Sequence, residues 1–239
     1  MTVTIRNLLA GTALGLALAC TPAHALPFFE GSDAGDLPAT AKIISSNNLI
    51  ALDLIAGHLD FDLNTMLWDI DLYAIQITDP FAFSARTEIG DPNEIVSDPV
   101  LFLFGFDGRG IYMNDDTSLS PVNLQSTLPA GAVNGPMGAG LYYLAVAWSF
   151  SDPMSIGGSI FPLYEFLSTL PSDGVYGPTG RGGALPLASW VPDGPTNSDV
   201  GADYRILLTG TTFLLPEPGT LGLLALVGLG FLVRRRLTP

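Results

Sequence analysis

Carboxylates are the abundant reactive side chains of this 239-residue chain, which has 23 acidic residues against nine lysines and arginines. Several lie two residues apart, as Asp60 and Asp62 do, and an Asp-x-Asp pair on a strand places both carboxylates on one face. The candidate metal ligands are Asp69, Asp71, Asp107, Asn114, Asp115 and Asp116. Calcium takes about six to eight hard oxygen ligands, so the pattern predicts calcium as the cofactor. The alternative is that these aspartates only cap turns and keep the surface soluble, since the EF-hand spacing is missing.

The same carboxylates leave a second chemistry open, that of a carbohydrate hydrolase with paired aspartates. Other catalytic sites have little support. Cys20, the single cysteine, and His24 lie in the N-terminal leader described below, so neither a His/Cys zinc site nor Cys–His catalysis is expected. The remaining imidazole, His58, has no Gly-x-Ser-x-Gly nucleophile elbow to work with. We therefore predict that the protein is not an enzyme.

Aromatic side chains suggest a further binding hypothesis, a stacking platform for sugar rings. Trp148 is expected in the core, whereas Trp190 and Tyr176 lie in segments rich in Gly and Pro and are the better candidates for exposed contacts. Tyr142 and Tyr143 are neighbours in a predicted strand, so they should point to opposite faces. A calcium- or glycan-binding module thus stays open as an alternative.

The elements that must position these residues are strands. Alternating or continuous apolar runs predict strands at 72–78, 100–106, 141–148 and 204–209, and 49–59 fits either a strand or a short helix. Two stretches rich in Gly and Pro, 117–140 and 168–197, are expected to be surface loops. The predicted fold is therefore all-β: a single antiparallel β-sandwich, jelly-roll-like, at residues 26–215.

The charge of residues 26–215, which we call the passenger domain, limits the partners that this domain can bind. Residues 26–215 contain 22 acids and five cations, which gives a net charge of −17. A body this acidic repels a phosphate backbone, so nucleic-acid binding is excluded. A domain of this length can bury a core without disulfides.

The N-terminus predicts a secretory signal peptide at residues 1–25. Arg6 precedes an apolar run at 8–19, and Ala23 and Ala25 fit the small-x-small rule for cleavage after Ala25. The secretion translocon is the partner that this segment implies. The alternative, an uncleaved anchor helix, would need a longer run to cross the hydrocarbon core.

The C-terminus, residues 216–239, has three parts in a fixed order. Pro216, Glu217 and Pro218 force extended backbone, a predicted membrane helix follows at 221–233, and Arg234, Arg235 and Arg236 provide a positive stop. Thirteen helical residues span only about 20 Å, so this helix is short for a permanent anchor. An ordinary tail anchor is the alternative, but it gives no reason for Pro-Glu-Pro.

This arrangement resembles the PEP-CTERM sorting signal of Gram-negative bacteria. The resemblance implies that an exosortase, a transpeptidase-like membrane enzyme, recognises the Pro-Glu-Pro motif and removes the helix nearby. It also implies a transient inner-membrane anchor and delivery to the cell surface or the extracellular matrix.

The passenger has a resemblance of its own. Residues 69–77, 101–110, 114–116 and 140–146 are similar to the strand motifs of the bacterial pre-peptidase C-terminal domain, with the two Gly/Pro-rich stretches unmatched. That resemblance implies a small β-sandwich that assists secretion or matrix binding, with calcium bound in some members.

Together these features predict an exported, non-enzymatic envelope or extracellular-matrix protein that an exosortase sorts. Its expected partner is extracellular polysaccharide, in exopolysaccharide or biofilm material. The alternatives are the secreted hydrolase and the calcium- or glycan-binding module.

Overall fold

The computed structural model describes residues 25–62, 67–88, 96–164, 168–191 and 202–215. All the regular structure in these residues is β, without a helix. Accordingly, the described part of the chain has no helix of the length and apolarity needed to span a membrane. The predicted membrane helix at 221–233 and nearly all of the predicted signal peptide lie outside the described residues.

The described residues form nineteen strands. The first nine are β1 (Leu26–Phe29), β2 (Lys42–Ile43), β3 (Leu52–Leu59), β4 (Phe61–Asp62), β5 (Leu67–Trp68), β6 (Asp71–Ile77), β7 (Ser84–Thr87), β8 (Pro99–Gly105) and β9 (Gly110–Asn114). The remaining ten are β10 (Ser118–Leu119), β11 (Val122–Asn123), β12 (Thr127–Leu128), β13 (Gly140–Trp148), β14 (Asp152–Ser155), β15 (Gly158–Ser159), β16 (Val175–Tyr176), β17 (Ser189–Val191), β18 (Ala202–Thr209) and β19 (Thr211–Thr212).

Two large sheets form the body of the protein. The five-stranded sheet has the order β1-β3-β18-β7-β12, and the seven-stranded sheet has the order β16-β9-β8-β13-β6-β19, with β2 also beside β6. Side chains of both sheets share one core, as the facing sheets of a sandwich do. Ile55 and Ile206 contribute to that core from the first sheet, and Leu103 and Val146 contribute from the second.

The connectivity agrees with the predicted jelly roll. When β3, β6, β7, β8, β9, β12, β13 and β18 are numbered one to eight along the chain, the two sheets have the orders 1-8-3-6 and 2-7-4-5. These are the interleaved orders of a jelly roll, in which two Greek keys wind around each other. All pairings among these eight strands are antiparallel. The prediction of a wholly antiparallel fold is wrong only at its margins, because β1 pairs with β3 and β2 with β6 in parallel.

The predicted strands are confirmed by β6, β8, β13 and β18, and 49–59 contains a strand, β3, and not a helix. In β18 the buried side chains alternate with more exposed ones, so Tyr204, Ile206 and Leu208 point inward as their spacing predicts. By contrast, β8 is buried along almost its whole length, which indicates a strand that is covered on both faces.

The outer face of the seven-stranded sheet has a second core. Phe102 and Tyr143 lie on this face, and Ile160, Phe161 and Leu187 pack against it from a segment that we call the covering segment, residues 150–164 and 168–191. Phe161 lies 5.5 Å from Phe102 between ring centroids. The covering segment therefore closes the sheet on the side away from the sandwich core.

Both predicted surface loops need correction. Within 168–197, β16 extends the seven-stranded sheet, β17 pairs with β14, and Leu187 is buried. Within 117–140, β12 joins the five-stranded sheet and Leu128 is fully buried. The reason is that the apolar sheet faces require cover, and these irregular segments supply it despite their content of Gly and Pro.

Candidate functional site

The structure brings six carboxylates into two groups. Glu30, Asp33 and Asp71 form what we call the first acid cluster, and Asp98, Asp115 and Asp116 form the second acid cluster. Within each, one oxygen of every side chain lies within 4.8 Å of the others. The spacing of the acidic residues in the sequence indicated Asp71, Asp115 and Asp116 as ligands but gave no sign of Glu30, Asp33 and Asp98.

The first acid cluster is centred on Asp71, the fully buried first residue of β6. The Ala34 amide donates to Asp71 Oδ1 at 3.3 Å, and the Tyr204 hydroxyl donates to Asp71 Oδ2 at 2.5 Å. The hydroxyl of Tyr73 is in turn hydrogen-bonded to that of Tyr204. Both oxygens of Asp71 therefore have protein partners in the interior.

Glu30 enters the same cluster from the segment after β1. The His58 amide donates to Glu30 Oε2 at 2.9 Å. Gly57, which pairs with Tyr204 across the sheet, leaves the space for this contact. A Cβ at Gly57 would lie 2.3 Å from the Tyr204 hydroxyl oxygen and 2.4 Å from Glu30 Oε2, so a larger residue would displace the cluster.

One proton between these two acids leaves the pair with a single negative charge. Burial, supported by the charges of Glu30 and Asp69, raises the pKa of Asp71 to about 9 against the opposing effect of the Tyr204 hydroxyl. Burial also raises the pKa of Glu30, while its hydrogen bond with Asp71 lowers it. Asp71 is therefore protonated at neutral pH and donates to Glu30, since a carboxyl group without its proton has nothing to donate.

The second acid cluster lies where three strands of the seven-stranded sheet end together. Asp98 immediately precedes β8, and Asp115 and Asp116 immediately follow β9. Because β8 and β9 are antiparallel, the start of one lies beside the end of the other. Ser149, the residue after β13, donates its amide to the Asp98 carbonyl at 2.9 Å.

Each carboxylate of the second acid cluster is only partly satisfied. The Ser149 hydroxyl donates to Asp115 Oδ2 at 3.1 Å, and the Ser172 hydroxyl donates to Asp116 Oδ2. The Oδ1 atoms of Asp98, Asp115 and Asp116 are all buried without a hydrogen-bond partner among the described residues. Burial and neighbouring carboxylates raise the pKa of Asp98 to about 6 and that of Asp115 to about 7.

The other predicted metal ligands lie in neither cluster. The Asn114 amide nitrogen donates to the carbonyls of Asp116 and Gly174, at 2.8 and 3.0 Å, so this side chain clamps the backbone. Asp107 is half exposed and forms an ion pair with Arg109 at 2.6 Å, which lowers its pKa.

Asp69 and the first Asp-x-Asp pair are also outside the clusters. Burial raises the pKa of Asp69 to about 7, and its Oδ1 accepts from the Ile70 amide at 2.8 Å. Asp60 lies 3.6 Å from His58 Nε2, and the side chain of Asp62 lies outside the described part of the chain.

The aromatic residues are arranged differently from the sugar platform that the sequence suggested. Trp148 is in the sandwich core, as predicted. Trp190 is not a free contact, because its ring packs 5.4 Å from that of Phe102 and its Nε1 donates to the Asp36 carbonyl. Tyr176 likewise packs against the second core. Tyr142 and Tyr143 face opposite cores, which confirms their predicted alternation.

A groove at one edge of the sheet offers other exposed aromatic surface. We call it the Phe106 groove; its volume is about 540 Å³, and its lining includes Phe106, Ile111, Met137, Leu141 and Tyr142. Phe106 is 64% exposed and stacks on Tyr143, with ring planes 16° apart. None of the lining residues is charged.

The proton on Asp71 makes folding stability depend on pH. Between pH 7 and 9 the unfolded chain holds no proton at this residue, whereas the folded protein keeps one until pH approaches 9. We therefore expect the free energy of unfolding to fall as pH rises, by up to about 1.4 kcal/mol per pH unit. Urea denaturation at pH 7, 8 and 9 with EDTA present measures the slope.

Asp71→Asn should flatten that slope, because asparagine has no proton to lose. Asp53→Asn is the matched control, since Asp53 is exposed on β3 and its replacement should leave the slope unchanged. An equal slope in Asp71→Asn and the unsubstituted protein would rule out Asp71 as the titrating group.

Comparison with known proteins identifies one segment. Residues 215–236 match the PEP-CTERM protein-sorting motif, which confirms the resemblance based on Pro216, Glu217, Pro218 and Arg234–Arg236. No curated protein and no solved structure matches the chain, so the resemblance of the passenger to pre-peptidase C-terminal domains stays a prediction. The chain carries the PEP-CTERM sorting signal, and such a signal implies an exported protein that an exosortase sorts.

Proposed function

We propose that this protein is a non-enzymatic component of the cell envelope or extracellular matrix, held in exopolysaccharide or biofilm material after sorting by an exosortase. The observation that carries the proposal is the sorting motif at 215–236, which begins three residues after the end of β19, the last described strand. The final location would be the surface of a Gram-negative bacterium.

The ends of the folded domain support processing on both sides. The Leu26 amide donates to the Ala51 carbonyl at 2.9 Å, so the first residue after the predicted signal cleavage site is already hydrogen-bonded within the domain. At the other end, Leu214 donates to Ile44 and accepts from Ser46, both at 2.9 Å. Cleavage after Ala25 and near Pro216 would therefore leave these hydrogen bonds in place.

The burial of the carboxylates supports a non-enzymatic role over the hydrolase alternative. Asp71, Asp115 and Asp116 are each at most 4% exposed, so a polysaccharide has no access to these side chains. A glycosidase needs both of its carboxylates in contact with the scissile bond. His58 is more exposed, but its ring nitrogens face Asp60 and Asp203.

The Phe106 groove is the surface that fits a polysaccharide best. Its exposed aromatic and aliphatic side chains match the apolar faces of sugar rings, and its lack of charge suits neutral sugars. A neutral contact surface also avoids the repulsion that the acidic body would exert on an acidic polymer.

The sorting step can be tested by intact-mass analysis of the protein recovered from its own cells. We expect a species that starts at Leu26 and ends near Pro216–Pro218. The double variant Pro216→Ala/Pro218→Ala should instead retain Arg234–Arg236, because it loses the extended motif that the exosortase would recognise. Pro171→Ala, an exposed proline in the passenger, is the matched control and should be processed normally. Unprocessed protein in all three samples would contradict sorting by an exosortase.

Polysaccharide binding can be tested through the Phe106 groove. Phe106→Ala should weaken co-sedimentation with exopolysaccharide from the same cells by about two- to tenfold, since it removes an exposed stacking ring. Phe81→Ala provides the control, because Phe81 is 80% exposed but lies outside the groove. Equal binding by both variants would exclude the groove as the contact surface.

A further inference from the structure

We propose that Asp98, Asp115 and Asp116 bind one calcium ion, which ties the covering segment to the end of the seven-stranded sheet. This inference is independent of sorting and of polysaccharide binding. It narrows the predicted calcium ligands to two of the six residues that the sequence suggested and adds Asp98.

The spacing of the oxygens fits the size of the ion. Calcium–oxygen distances are about 2.3–2.6 Å, so oxygens up to about 4.8 Å apart can contact the same ion. Three side chains of the second acid cluster place an oxygen within that distance of one another. Burial and the charge of Asp115 raise the pKa of the Tyr164 hydroxyl, so a neutral oxygen lies near Asp115.

The unpartnered oxygens point to a missing cation. Asp115 and Asp116 are only 3% and 4% exposed, and yet one oxygen of each, together with Asp98 Oδ1, is buried without a hydrogen-bond donor. The ion pairs seen among the described residues involve other acids, and carboxylates are the charged groups that act on Asp98 and Asp115. Buried carboxylates without compensation are strongly destabilising, so an ion at this position would remove a large cost.

Comparison with the first acid cluster shows why a single proton cannot satisfy the buried oxygens of the second acid cluster. There, Asp71 has donors at both oxygens and one proton joins it to Glu30, so Glu30 Oε1 is the one carboxylate oxygen of that cluster that is buried without a partner among the described residues. In the second acid cluster three oxygens lack donors, and one proton can join only two of them. A divalent cation can contact all three at once. Calcium is favoured over magnesium because magnesium keeps most of its water and is usually bound by one or two carboxylates.

The position of the site indicates what the ion would do. Asp98 and Asp115 belong to the ends of adjacent strands, whereas Asp116 is bonded to the covering segment through Ser172, whose carbonyl accepts from the Asp116 amide at 3.1 Å. An ion between these residues would join the cover to the sheet that it protects. Calcium binding would thus stabilise the folded protein.

Thermal unfolding of the full chain in detergent, with 1 mM calcium chloride or with EDTA, tests this proposal. If 1 mM is about a hundredfold above the Kd, we expect calcium to raise Tm by about 5 °C or more. Magnesium at the same concentration should give a much smaller rise. No rise with calcium, or an equal rise with magnesium, would overturn the proposal.

Asp115→Asn should abolish the rise in Tm with calcium. In EDTA its Tm should equal or exceed that of the unsubstituted protein, because the substitution removes one buried carboxylate but keeps an oxygen that accepts from Ser149. Asp98→Asn, at a half-buried residue, provides a second variant with the same expected loss. Asp107→Asn is the matched control and should respond fully, since Asp107 pairs with Arg109 outside the cluster. A full response in Asp115→Asn and Asp98→Asn would place the ion elsewhere.

Discussion

A sheet with apolar side chains on both faces has to be covered on both sides, and this constraint determines the architecture of the protein. The central strand β8 is buried along nearly its whole length and β13 is buried from Tyr143 to Trp148, so neither face can be left to water. One face packs on the five-stranded sheet and forms the sandwich core. The other face receives the covering segment, which gives an additional layer to an otherwise simple jelly roll.

Burial of that sheet also explains the unusual state of the acids at its ends. Asp71 is the first residue of β6 and Asp115 follows β9, and both side chains are removed from water when the layers pack together. At Asp71 the chain compensates with hydroxyl and amide donors and a proton. At Asp115 it supplies fewer donors, which motivates the calcium proposal. The same physical cost, the desolvation of a carboxylate, is thus met by donors and a proton at Asp71, and in our proposal by an ion at Asp115.

The sequence predicted the strands well because their signals are local. The alternation in β18 and the continuous apolar runs of β8 and β13 can be seen in a short window, and both predicted the burial observed. The prediction of an all-β, jelly-roll-like sandwich rested on these strands, whereas the order of the strands in each sheet is known from the structure. The sequence also identified the sorting motif, since its three parts are adjacent and lie in a fixed order.

The parts that the sequence did not predict depend on long-range contacts. Asp98 joins Asp115 through strand pairing between β8 and β9, and Glu30 reaches Asp71 because β1 adds in parallel to β3, so neither acid could be associated with its cluster by spacing alone. The prediction that residues 168–197 form a surface loop was wrong for a related reason. Gly and Pro near Trp190 suggested an exposed loop, but the indole ring packs against Phe102 on the apolar sheet face and so contributes to the second core.

The requirement for cover on both faces is tested most directly by the free energy of unfolding of Phe161→Ala. Phe161 is a fully buried residue of the covering segment that packs against the sheet, and its replacement by alanine should lower the free energy of unfolding by about 3–5 kcal/mol. Phe81→Ala, at an exposed ring, should change stability by no more than about 0.5 kcal/mol. If Phe161→Ala were as stable as Phe81→Ala, the covering segment would not be an integral layer of the fold, and the account would be contradicted.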